Sequence, residues 1–109
     1  MAVLVIADHA NGVLVPATLN SVTAAVALGS DIDILVAGEG CEAVAAEAAA
    51  IAGINRVRVA DDARYGHALA ENAAPLVVGL AGDYSHILLS STTTGKNLAP
   101  RIAALLDVA

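Results

Sequence analysis

Aromatic side chains are almost missing from this sequence. Of its 109 residues two are Tyr, and there is no Phe or Trp. Any core must therefore be built from Val, Leu, Ile and Ala, which suits closely packed helices over a sheet. Cysteine is nearly absent as well. Cys41 is alone, which excludes an internal disulfide and a thiolate metal cluster and makes the cytoplasm, or an equivalent reducing compartment, the expected location. Positive charge is scarce: five basic residues, a single Lys among them, stand against eleven acidic ones, for a net charge of -6. No basic field exists to displace counterions from nucleic acid or to attract anionic lipid, although an acidic domain can still dock a basic partner. Long apolar runs are missing too. The opening MAVLVIADHANG has no basic leader, and its apolar stretch stops at Asp8, so it reads as neither a signal peptide nor a membrane span.

What remains is a repeating strand–helix pattern of one-domain size. Val3–Ala7 is a short, non-alternating run expected to form a central parallel strand covered on both faces. Asn11-Gly12 signals a turn and Pro16 a stop. A first helix is expected over Leu19–Leu28, capped near Thr18 or Asn20, with Leu19, Val22 and Val26 as its apolar stripe and Gly29 at its end. Ile32–Ala37 gives a second strand interrupted only by Asp33. Gly38-Glu39-Gly40 turns the chain into a helix over Glu42–Ala52, with Val44, Ala48 and Ile51 on one face and Gly53 beyond it. Arg56–Ala60 alternates, as an edge strand with one wetter face does.

Asp61 to His67 reads as a polar connection with room for one helical turn. A third helix is expected to be capped by Asn72, with Pro75 in its first turn and Leu76, Val77 and Leu80 on its apolar side. Ile87–Ser90 is the fourth strand. The closing helix starts either near Asn97, with Pro100 in its first turn, or at Thr94 with a kink at Pro100; Leu98, Ile102, Leu105 and Leu106 are its apolar contacts. Right-handed crossovers then give a Rossmann-like α/β fold: three layers, a parallel sheet of at least four strands with helices on both faces.

In such a fold the loops at the carboxyl ends of the strands share one functional rim. Here they are His9-Ala10-Asn11, Gly38-Glu39-Gly40, Asp61-Asp62 and Ser90 to Asn97. The Thr92-Thr93-Thr94-Gly95-Lys96 segment has the hydroxyls, glycine and lysine of a phosphate loop but not the GxxxxGK[ST] spacing, which favours a structural cap or a contact surface. Gly38-Glu39-Gly40 lacks the further glycine of a dinucleotide fingerprint. His9, His67 and His86 have no second ligand at helical spacing, so no metal site follows, and His9 is a rim residue open to ligand or partner contact. Cys41 beside a helix start invites a lowered thiol pKa, but no resolving cysteine or base accompanies it. Asp61-Asp62 could serve metal or acid–base chemistry, or be simply solvated. The residues supply places for chemistry without visible machinery, and no catalytic, cofactor-binding or metal-ligating residue is assigned.

Three segments carry a resemblance: Val3 to Gly29, Leu35 to Asp61 and His86 to Ala109. Within them the Leu19-Asn20 helix start, the Val36-Ala37-Gly38 strand end and the run Gly95-Lys96-Asn97-Leu98-x-Pro100-Arg101-x-Ala103-Ala104 are the matching motifs. The chain resembles the N-terminal domain of the alpha subunit of electron transfer flavoprotein. That resemblance implies a heterodimer with a beta subunit, FAD bound by a domain C-terminal to this segment, and AMP in the beta subunit. It also implies an electron carrier rather than an enzyme with its own turnover, passing electrons from dehydrogenases to a quinone oxidoreductase or another acceptor. Location would be cytoplasmic, or the mitochondrial matrix in a eukaryote. No FAD contact carries over to a residue here; the rim from Thr92 to Asn97 is an expected interdomain contact. Because that family's domain continues past its closing helix, a chain ending at Ala109 is expected to be a fragment or N-terminal portion of a longer subunit, one α/β domain over residues 1–109. The alternatives left by the residues alone are a small α/β domain that binds ATP or AMP or acts as a sensor, and a pure interaction module.

Overall fold

Two strands leave no face for water. In the computed structural model, which describes residues 2–10, 12–28, 31–65, 69–90 and 93–106, β1 (Ala2–Ile6) is buried from Val3 onward and β4 (Ile32–Gly38) is buried at every position. Strands that are apolar on both sides must be covered on both sides, and parallel pairing with helical crossovers achieves this. β1 pairs in parallel with β4 (Val3 opposite Ile32) and with β6 (Tyr84–Leu88), and β4 pairs in parallel with β5 (Arg56–Asp61). The sheet order is β5-β4-β1-β6, so the winding direction reverses between β1 and β6.

Right-handed crossovers place the helices. α1 (Ala17–Leu28) and α2 (Glu42–Ala49) cover one face, where Val3, Val5, Ile34 and Val36 meet Val22, Ala25, Val44 and Ala48. α3 (Leu69–Leu80) and α4 (Thr93–Leu106) cover the other, where Leu4, Ile6 and Leu35 meet Ala73, Ala74, Val77, Leu98 and Ile102. Small alanines on α1, α2 and α3 let the helices approach the sheet without aromatic filler.

Several boundaries differ from the sequence reading, each for a physical reason. α3 starts at Leu69, so Pro75 lies inside the helix rather than in its first turn, and α4 starts at Thr93, within one residue of the alternative that placed Pro100 inside the helix. Each proline forgoes one helical hydrogen bond, to the carbonyl four residues back. Both rings sit on the solvent side while Ala73, Ala74, Val77, Leu98 and Ile102 pack inward, so core contact holds the helices together. Asn72 does not cap; its side-chain amide donates to the Arg64 carbonyl at 2.7 Å and ties α3 to the 3-10 turn Ala63–Tyr65. The fourth parallel strand begins at Tyr84, three residues before the expected Ile87, because Tyr84 has a buried partner to reach. In α1 the residues facing the sheet are Thr18, Ser21, Val22 and Ala25, while Leu19 and Val26 are about half exposed (48 % and 55 %). Leu105, expected in the core, is exposed. A short antiparallel pair, β2 (His9–Ala10) with β3 (Val13–Leu14), was not anticipated; Gly12 has φ +74°, and Asn11 of the expected turn lies outside the described residues.

The Tyr84 partner is Asp33, the one buried charged residue among those described. Tyr84 Oη donates to Asp33 Oδ2 at 2.7 Å, and Arg56 donates to the same oxygen from Nη2 at 2.9 Å and Nε at 3.2 Å. Three strands, β4, β5 and β6, are thereby joined at the foot of the sheet. Oδ1 has no partner of hydrogen-bond geometry, although Asn55 lies near enough to favour the charged form. Arg58 adds its guanidinium over the Tyr84 ring, 5.9 Å from the centroid.

Burial pushes the Asp33 carboxyl up, but the Tyr84 hydrogen bond and the bonds and charge of Arg56 outweigh it and hold the group below the ordinary carboxylate range. An acid lowered on folding stabilises the fold above its unfolded pKa, about 4, and that contribution is lost as pH falls through the folded value. Tyr84→Phe removes one donor from a buried charge. It should lower stability by about 1–3 kcal/mol at neutral pH, read as a lower thermal midpoint. The difference between variant and wild type should shrink below pH 4, as Asp33 protonates in both. An unchanged midpoint at neutral pH would show that the bond contributes nothing.

Candidate functional site

The carboxyl ends of β1, β4, β5 and β6 form the rim, and most of its polar groups are engaged with the chain itself. Thr18, fully buried at the start of α1, exchanges two hydrogen bonds with Asp8: the Asp8 N–H donates to Thr18 Oγ1 at 2.9 Å, and the hydroxyl donates to the Asp8 carbonyl at 3.1 Å. Thr18 therefore anchors the loop after β1 instead of capping the helix. His9 follows in that loop. Its Nε2 lies 2.8 Å from the Ala37 carbonyl, so that nitrogen carries the proton and donates. The ring rests against Gly38, where an added Cβ would stand 2.7 Å from His9 Cε1. The glycine that a dinucleotide fingerprint would assign to a phosphate is here the seat of an imidazole.

Asp61, at the end of β5, accepts the backbone N–H of Gly40 at 2.8 Å and of Cys41 at 3.2 Å. Cys41 is the residue before α2 and makes no side-chain cap of its own. The carboxylate from the neighbouring strand therefore fills that role, satisfying two free donors beside the positive end of the helix. Gly40, with φ +64°, takes the left-handed turn this approach requires. Asp62 accepts the Arg64 N–H at 3.0 Å and its Nε at 3.2 Å, and these bonds hold its carboxyl below the ordinary range. Asp61 and Asp62 thus serve two separate segments, the start of α2 and the 3-10 turn Ala63–Tyr65. The Cys41 thiol runs opposite to the lowering that a helix start suggests: it is buried, and burial, followed by the Asp61 charge, pushes its pKa up.

At the reversal between β1 and β6, a groove of about 320 Å³ is lined by Ala17, Asn20, Ser21, Ala24, Leu88, Leu89 and Ser90. The buried hydroxyls of Ser21 and Ser90 face each other at 3.5 Å, a long contact. Lys96 is exposed on α4, one turn inside a helix that already begins at Thr93, so the polar turn expected around it is helical instead. The groove lining holds no charged side chain, and its volume is at the low end for a ligand pocket. No side chain in the lining is placed to balance the charge of the pyrophosphate of FAD. Among the described residues no group of three or more His, Cys, Asp or Glu is placed to hold a metal ion, and no helix is long and apolar enough to cross a membrane. His86 lies in β6 at the other end of the sheet from His9, bonded through Nδ1 to Ser85 Oγ at 3.0 Å. His67 and Thr92 lie outside the described residues.

The structure thus brings together His9, Gly38, Cys41 and Asp61, and separately Ser21 and Ser90. Sequence reading named Thr18 as a cap but missed its bonds to Asp8, and it missed Ser21 and the capping role of Asp61. A hydroxyl pattern on a helix that also carries Val and Ala was the available signal for the first two. Gly38→Ala should force the His9 ring off its seat and cost about 1–3 kcal/mol. The check is a thermal melt together with the His9 ring resonances, which should lose the signature of a bonded Nε2–H. Retention of both would show that the seat is not tight.

Comparison with known proteins adds what the rim does not supply. Residues 3–109 match the family described as electron transfer flavoprotein domain. The chain is 56 % identical over 108 residues to the electron transfer flavoprotein subunit alpha of Pseudomonas aeruginosa, covering 99 % of this chain and 35 % of that protein. It is 56 % identical over 109 residues to that of Paracoccus denitrificans, with the same 99 % and 35 % coverage. To the mitochondrial subunit alpha of Arabidopsis thaliana it is 44 % identical over 115 residues, covering 99 % and 32 %. The chain spans about a third of the length of these curated relatives. With the match running through all four parallel strands and all four helices, the chain belongs to the electron transfer flavoprotein domain family.

Proposed function

We propose that this chain is the flavin-free domain of an electron transfer flavoprotein alpha subunit. Its work is to build the complex with a beta subunit, while FAD is held by a C-terminal domain of the alpha polypeptide and AMP by the beta subunit. The assembled carrier takes electrons from dehydrogenases and passes them to a quinone oxidoreductase or another acceptor, in the cytoplasm or in a mitochondrial matrix. On this reading residues 1–109 are the N-terminal α/β unit of a longer subunit, and no residue among them is catalytic, cofactor-binding or metal-ligating. The observation that carries the reading is the family match over residues 3–109. The rim supports it, because His9, Asp61 and Asp62 hold the fold together, and the groove at the sheet reversal holds no charged side chain.

Calorimetric titration of the chain into the beta subunit from the same organism should show saturable one-to-one binding. The same titration with AMP or ATP should give only heats of dilution. Saturable one-to-one nucleotide binding, with no heat from the beta subunit, would replace this reading by that of a nucleotide-binding domain.

A further inference from the structure

Of the four parallel strands, β5 has the least to bury. No residue of Arg56–Asp61 is fully buried, whereas β1 is buried from Val3 onward and β4 at every position. Val57 packs only in part against the core on the α1–α2 side, and Val59 is exposed. β6, at the other edge of the sheet, is held differently: Tyr84 is buried, and Ile87 and Leu88 pack against the two cores. Yet β5 is the strand that closes β4, in register from Asp33 opposite Arg56 to Gly38 opposite Asp61. A ladder with few apolar contacts behind it and water on its outer side has low local stability.

The ties that compensate lie at the two ends of the strand, and each ends on a carboxylate. At the foot Arg56 donates to Asp33 Oδ2 from Nη2 at 2.9 Å and from Nε at 3.2 Å. The Asp33 side chain is 2 % exposed and that of Arg56 56 %, so the anion is fixed in the core and the cation is the partner free to leave. Arg58, two residues on, lies over the Tyr84 ring. At the rim Asp61 accepts the N–H groups of Gly40 and Cys41, and the Asp62 N–H donates to the Gly38 carbonyl at 3.0 Å.

We propose that β5 is a releasable strap, latched to the sheet at the foot by Arg56 on Asp33 and at the rim by Asp61 on the start of α2, and that it opens as a unit ahead of the other three strands. Its release turns β4, apolar on both faces, into an open edge. The foot latch is acid-sensitive. Asp33 faces Tyr84 from β6, Arg56 from β5 and the Asn55 side chain before it, and Arg58 faces Tyr84. Proton uptake by Asp33 removes the charge that Arg56 binds, while the Tyr84 hydroxyl still donates to the neutral carboxyl. Asp33 is held below the ordinary carboxylate range on folding. Its latch is therefore fully present above the unfolded value, about 4, and is lost as pH falls through the folded one.

Residue-resolved amide hydrogen exchange of the chain tests this. At neutral pH the amides of β5 should open about tenfold or more often than those of β1. Arg56→Gln and Asp61→Ala should each raise β5 opening about tenfold and leave β1 unchanged. Acidification from about pH 6 to about pH 3, after correction for intrinsic exchange, should raise β5 opening in wild type and by much less in Arg56→Gln. If Arg56→Gln unfolds the chain by stranding the Asp33 charge, Asp61→Ala, at an exposed position, carries the test. Wild-type β5 amides that open no more often than those of β1 overturn the strap. Faster opening of β5 that no folded variant alters overturns the latches.

Discussion

Strands β1 and β4 have no side that water can touch, and the rest of the molecule follows from that. Two buried faces demand two helical layers, and right-handed crossovers fix which helices go where. The same demand makes Asp33 anomalous, since a carboxylate at the second position of β4 is placed where everything else is aliphatic. It is tolerated because Tyr84 and Arg56 bring three donor hydrogens to one oxygen. The arrangement also reads the register. Tyr84 pairs with Ala2, whose small side chain lies on the path to β4, and β6 skips a residue before His86 pairs with Val3. A one-residue slip would take the phenol to the wrong face. A buried ion pair is weak evidence for stability as such, and here its evident consequence is that only one pairing of β4, β5 and β6 satisfies it.

At the opposite end of the sheet the polar groups are used differently. In many folds of this shape the carboxyl rim is where ligands are held. Here Asp61 completes a helix start, Asp62 closes a 3-10 turn, Thr18 anchors a loop and His9 is pinned over Gly38. The domain keeps the scaffold of a nucleotide-binding fold while its rim serves the scaffold's own integrity. On the proposed reading the scaffold serves to arrange other chains or domains around it, a role consistent with the family match.

Much of this was legible in the residues. The order of parallel strands and helices followed from non-alternating runs such as Val3–Ala7 and Ile32–Ala37, and the alternation of Arg56–Ala60 marked β5 as an edge. What was hidden depended on partners distant in sequence. Tyr84 belongs to β6 because of Asp33, fifty-one residues earlier; nothing local to the segment says so. Pro75 looked like a helix start, and Pro100 left two starts open, since a local rule weighs only the lost hydrogen bond and not the core contacts on either side of each ring. The α1 stripe was found in part: Val22 faces the sheet as expected, while Leu19 and Val26 turn outward, because the sheet also takes the hydroxyl-bearing side on which Thr18 reaches Asp8. For the rim, residue types were visible but engagement was not. Asp61 and Cys41 looked available until the hydrogen bonds and burial showed them occupied.

The central claim is that these residues form a flavin-free scaffold, with the redox chemistry belonging to a cofactor held elsewhere. The most direct measurement is the visible absorbance spectrum of the purified 109-residue chain after saturation with FAD and removal of unbound ligand. The account predicts a colourless protein. A yellow one, with flavin at one equivalent per chain, would contradict it and require a binding site in residues that here hold one another.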